Sequence, residues 1–77
     1  IFKNLSDKDI ENFYEIFLVY KNNNGSIKEA SEELYMHKNT LQYQLNKLEK
    51  LTGYNPRKLK DFTILDIAFA LKKFDNK

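Results

Sequence analysis

The stretch EASEELYMHKNTLQYQLNKLEKLTG, residues 29–53, decides how this chain is built. Its second half places Leu41, Leu45 and Leu48 on one side of a helix at 100° steps. That spacing predicts a helix starting after His37 and running to about Thr52, with Gly53 in the left-handed capping position. Nearly opposite the leucines fall Asn39, Gln42, Tyr43, Asn46, Lys47 and Lys50. Upstream, EASEEL forms a shorter helix, and the polar interruption YMHKNT separates the two. One continuous helix would build a core with less trouble. Two helices split by about three residues, the first carrying the small Ala30 and the second an outward polar face, spell a helix-turn-helix. Its first helix braces against the DNA backbone while its second lies in a major groove about 12 Å wide. An ordinary helical corner inside a bundle has the same spacing.

The flanks extend the same architecture. Ser6 precedes Asp7 and Asp9, a cap followed by an acidic first turn, and Ile10, Phe13, Tyr14, Phe17 and Leu18 then recur at helical spacing. Asn22-Asn23-Asn24-Gly25 stops that helix, and Ser26 with Glu29 forms a capping box opening the next, whose inward side is Ile27, Ala30 and Leu34. Asn55-Pro56 marks a cap and a brief helical turn, and residues 62–74 form the last helix. No strand pattern, repeat or low-complexity linker interrupts this. The expected fold is all-α: one domain spanning residues 1–77, a small helical bundle around a helix-turn-helix.

Charge sharpens the expectation. The net charge of the 77 residues is only +2, but residues 1–37 hold four lysines against seven acids. Residues 38–60 reverse this, with Lys38, Lys47, Lys50, Arg57, Lys58 and Lys60 against Glu49 alone. Such asymmetry suits a chain that meets phosphate, and also suits a plain solvated lysine-rich surface. There is no cysteine, hence no disulfide frame and no thiolate metal site. No apolar run reaches membrane-spanning length and no signal-peptide pattern opens the chain. The start at Ile rather than Met predicts a domain excised from a larger protein.

Ala30, Ser31, Leu34, His37, Lys38, Asn39, Thr40, Leu41, Tyr43, Leu45 and Gly53 together resemble the signature of the C-terminal DNA-binding domain of PucR/CdaR-type bacterial transcription regulators. HKNTLQYQL, residues 37–45, is the specific part; the flanking helices fit the family's supporting helices from about Ile10 to Phe74. Fis-type helix-turn-helix domains are similar, more distantly, over the same two helices. The resemblance implies sequence-specific binding of double-stranded DNA by a cytoplasmic transcription regulator whose sensing regions lie N-terminal to this domain. Two departures stand out. Lys38, Gln42 and Gln44 replace arginines usual in the family's recognition helix, which removes bidentate forks for guanine and phosphate. Glutamine can pair with adenine N6 and N7, so a shift toward A·T-rich sites is expected. Tyr35 occupies the turn position usually held by glycine, where a left-handed conformation costs about 1 kcal/mol or more.

The expected DNA-binding residues are Lys28, His37, Lys38, Asn39, Thr40, Gln42, Tyr43, Asn46, Lys47 and Lys50, with Lys58 a further phosphate contact. His37, the only histidine, has no second ligand near it, so a metal role is excluded in favour of a helix cap with a secondary backbone contact. Lys28 and Lys50 suit phosphate, Thr40 either phosphate or a local backbone bond, and Tyr43 a thymine methyl, a sugar or a neighbouring helix. Gln42, Asn46 and Lys47 contact bases or simply face solvent. No catalytic constellation emerges: Glu29, Glu32 and Glu33 lack a histidine or cysteine partner, and Gly25 and Gly53 cannot build a phosphate loop. No cofactor and no enzymatic activity are expected. The reading from a different class is a helical interaction or dimerisation module without nucleic acid. Finally, residues 62–74 carry two apolar sides. Ile64, Ile67, Ala68, Leu71 and Phe74 suffice to seal the core, leaving Phe62, Leu65 and Phe69 either to pack on the first helix, whose Ile16, Val19 and Tyr20 stray off its main stripe, or to form a homodimer contact through the last helix.

Overall fold

A computed structural model describes residues 2–3 and 5–75, with Phe74 and Asp75 by backbone alone. Four helices follow in order: α1, Asp7–Asn22; α2, Ile27–Glu33; α3, Lys38–Thr52; α4, Leu59–Asp75. Among the described residues there is no strand, and the fold is all-α.

Local chemistry sets the helix starts. Ser6 Oγ accepts the Asp9 N–H at 3.1 Å, and Asp7 and Asp9 place negative charge at the positive end of α1. Ser26 Oγ accepts the Glu29 N–H at 3.2 Å. The expected reciprocal half of that capping box is replaced, because the Ser26 N–H donates to the Asn23 carbonyl at 3.0 Å instead. Asn24 and Gly25 both take positive φ, 57° and 76°, so the chain reverses between α1 and α2 within two residues. α3 ends as its sequence demands: Gly53 sits at φ 83° and its N–H donates to the Glu49 carbonyl at 2.7 Å.

The core has two lobes. Tyr20 from α1, Ala30 from α2, and Leu41 and Leu45 from α3 form the lobe under the helix-turn-helix, with Leu34 half-buried at its edge. Ala30 is fully buried, which is why a side chain larger than methyl would hold α2 away from α3. Truncating Leu41 to Ala at this corner should cost about 2–5 kcal/mol, a large share of the stability of so small a domain. Ile10, Phe13 and Phe17 meet Leu48, Leu65 and Phe69 in the second lobe. Phe62 joins the lobes by packing on both, its ring stacked on Phe17 at 4.8 Å between centroids.

α4 departs from expectation twice. It begins at Leu59 rather than 62, because Asn55 and Pro56 turn the chain directly into it: Asn55 donates its N–H to Asp61 Oδ2 at 3.1 Å. Its buried side is also the reverse of the expected one. Leu65 and Phe69 are buried and Phe62 is half-buried, whereas Ile67 and Leu71 stand exposed. The bulky rings decide this: Phe69 lies within 4.7–5.6 Å, between centroids, of Phe2, Phe17 and Tyr14, a cluster that the smaller Ile64, Ala68 and Leu71 could not fill. A homodimer contact through Phe62, Leu65 and Phe69 is therefore ruled out. The side chain of Phe74 lies outside the described residues.

Candidate nucleic-acid interface

The turn between α2 and α3 fixes the angle of the outward helix. Tyr35 adopts φ 55°, so the left-handed residue that this corner requires is a tyrosine, and its side chain is 96% exposed. The Tyr35 N–H donates to the Glu32 carbonyl and the Met36 N–H to the Ser31 carbonyl, closing the end of α2. Ser31 is buried, and its hydroxyl donates to the Lys28 carbonyl at 2.9 Å. His37 then caps α3, its Nδ1 accepting the Asn39 N–H at 3.0 Å, which requires that nitrogen to be unprotonated. The cap expected of the single histidine is what the geometry contains.

α3 turns Leu41, Leu45 and Leu48 inward and leaves Lys38, Asn39, Thr40, Tyr43, Asn46, Lys47 and Lys50 exposed. Tyr43 is 61% exposed and projects from the helix rather than packing on a neighbour. Tyr43, Asn46, Lys47 and Lys50 together line one shallow depression beside Leu51. Lys28 is exposed on α2, and Lys58 is exposed in the turn before α4. Of the expected residues on α3, Asn39, Tyr43, Asn46, Lys47 and Lys50 share the outward ridge, while Lys38 and Gln42 lie toward one flank and Thr40 toward the other.

Gln42 lies about 90° around the helix from the leucine stripe rather than opposite it, and it is half-buried. Its Oε1 accepts from Arg57 Nη1 at 2.7 Å. Arg57 is the residue that sequence reasoning passed over, counting it only as charge. Its Nε and its backbone N–H both donate to Asn55 Oδ1, at 3.1 and 3.0 Å. Its Nη2 donates to Asn46 Oδ1 and lies 3.7 Å from Glu49 Oε1. The turn before α4 is thereby tied to one flank of α3 along three successive turns of helix. The only signal in the sequence was that this is the chain's one arginine, the side chain whose planar fork suits several acceptors at once. Gln44, on the other flank, is half-buried with no such partner among the described residues.

A short bracing helix, a left-handed corner and a capped helix with a polar basic outward face define a helix-turn-helix domain, a fold class that docks on DNA. A family model described as PucR C-terminal helix-turn-helix domain matches residues 13–71 of the 77, and the chain belongs to that family. No curated protein and no solved structure matches the chain. Among the described residues, no helix is long and apolar enough to cross a membrane.

Proposed function

We propose that this chain is the DNA-binding domain of a larger bacterial transcription regulator, acting in the cytoplasm on specific double-stranded sequences. The observation that carries the reading is α3 itself. Asn39, Tyr43, Asn46, Lys47 and Lys50 make up its outward ridge, while its opposite face is fixed in the core by Leu41, Leu45 and Leu48. A helix held this rigidly and lined with donors is suited to a major groove. In this reading α3, residues 38–52, enters the groove, and Lys28, His37, Thr40 and Lys58 meet the flanking phosphates. Binding, not catalysis, is the domain's work.

Recognition by such domains is commonly two-fold, with half-sites about 34 Å apart. Each copy measures 31 × 23 × 20 Å, the order of size of that separation. On α4 the side available for pairing is the one that holds half-buried Ile64 and exposed Ile67 and Leu71, at the three-and-four spacing of a helix–helix seam. We assign the homodimer contact to that side.

Selection of bound sequences from a random duplex pool, followed by titration of the preferred duplex at several salt concentrations, tests the reading. A preferred sequence with affinity falling steeply as salt rises supports it. Indifference to every duplex at low salt would overturn it in favour of a protein-interaction module.

A further inference from the structure

Arg57 holds two side chains along one margin of the outward ridge: Asn46, at its edge, and Gln42, beside it. A guanidinium has five N–H donors and no acceptor. The atoms of Gln42 and Asn46 that face it must therefore be their amide oxygens, and the 2.7 Å contact from Arg57 Nη1 to Gln42 Oε1 has that sense. Each amide consequently turns its NH2 group away from Arg57. Asn46 is exposed and Gln42 half-exposed, so both NH2 groups remain open to a ligand lying along α3. A free glutamine or asparagine offers one donor and one acceptor, the pair that matches adenine N6 and N7. With each oxygen turned toward Arg57 and one of its lone pairs engaged there, the NH2 is the group presented outward.

We infer that Arg57 is a specificity-positioning residue: by holding the amide oxygens of Gln42 and Asn46, it presents both side chains outward through their NH2 groups, which favours guanine over adenine. Guanine presents two adjacent acceptors, O6 and N7, in the major groove. Adenine presents a single acceptor, N7, beside the N6 amino group, which opposes a second donor. Cytosine offers its amino donor, and thymine a single acceptor at O4. Guanine, with two acceptors, is thus favoured over adenine and thymine, with one each, and cytosine is disfavoured. Asn55, which accepts from both the backbone N–H and Nε of Arg57, and Glu49, 3.7 Å from Nη2, hold the guanidinium in register. This inverts the A·T preference that the glutamines alone suggest. It rests on the proposed docking of α3 in the major groove.

The experiment is selection from a random duplex pool with four forms of the domain: wild type, Gln42→Ala, Gln42→Glu and Arg57→Leu. Gln42→Ala identifies the base position that Gln42 reads, as the one whose preference relaxes. At that position the wild type should favour guanine over adenine by about tenfold or more. Arg57→Leu should release the amide and raise adenine to parity with guanine or above. Gln42→Glu keeps an acceptor for Arg57, and so keeps the fold, but removes the outward NH2. It should lose the guanine preference while melting no lower than wild type, and it decides the matter if Arg57→Leu fails to fold. Adenine selected by the wild type at that position overturns the inference, as does Arg57→Leu or Gln42→Glu selecting the same base as wild type. In either case DNA recognition by α3 stands. A wild-type domain that selects no sequence overturns the recognition reading itself.

Discussion

Arg57 reaches across 15 residues of sequence to donate from Nη1 to Oε1 of Gln42 at 2.7 Å, so the turn preceding α4 is anchored on the flank of α3. The same fork spans Asn46 and Glu49, and the group is partly exposed, which limits its worth in water. Arg57→Ala should lower stability by about 1 kcal/mol and the melting temperature by roughly 4–8 °C. Thermal melts of the two forms check this. An unchanged melt would show the fork to be energetically idle.

Tyr35 presents the opposite case, a residue that the fold would do better without. Its φ of 55° costs a residue with a Cβ about 1–2 kcal/mol, and a side chain 96% exposed recovers nothing by packing. Glycine removes that strain but loses more freedom on folding, about 0.5–1 kcal/mol. Tyr35→Gly should therefore be as stable as wild type, or more stable by up to about 1.5 kcal/mol. Chemical denaturation measures the difference, and a destabilised glycine variant would show that Tyr35 makes a contact the fold depends on.

Lys50 on the α3 ridge and Lys28 on α2 should act on phosphate without regard to sequence. Lys50→Ala and Lys28→Ala should each weaken every duplex alike and flatten the salt dependence by about one unit of the log–log slope. Tyr43→Ala, which removes an aromatic projecting beside Lys50, should instead alter preference at one position. Uniform losses from all three, with unchanged preference, would mean that the ridge only follows the backbone.

How far these features were legible depended on whether their cause was local. The bounds of α3 were plain because His37 and Gly53 act within one turn of helix, whereas the family pattern left Tyr35 either left-handed or in a slightly different turn, and its φ of 55° is the first of these. The start of α4 was hidden, since Leu59 is 83% exposed and its packing carries no helical period. The buried side of α4 could not be read from period at all, because both sides are apolar. What chose between them was ring packing by Phe69 against Phe2, Phe17 and Tyr14, which come from elsewhere in the chain. The Arg57 fork was invisible for a related reason. Its acceptors Gln42, Asn46 and Glu49 share a flank only once α3 and the following turn have docked.

The two sides of α4 supply the sharpest contrast. Phe69 is 2% exposed among aromatic rings, so Phe69→Lys places an unpaired charge in the core and should unfold the domain. Leu71 is 61% exposed and Ile67 56%, so Leu71→Lys should leave the melt within about 0.5 kcal/mol of wild type. If two copies pair through this side, the lysine sets like charges across a two-fold contact and removes apolar area from both partners at once. Sedimentation of the free domain, and binding to duplexes carrying one or two half-sites, then separate the roles. Leu71→Lys should bind a single half-site as wild type does and lose self-association together with cooperativity on the paired site. Cooperativity that survives Leu71→Lys and Ile67→Lys together would remove α4 from the dimer contact.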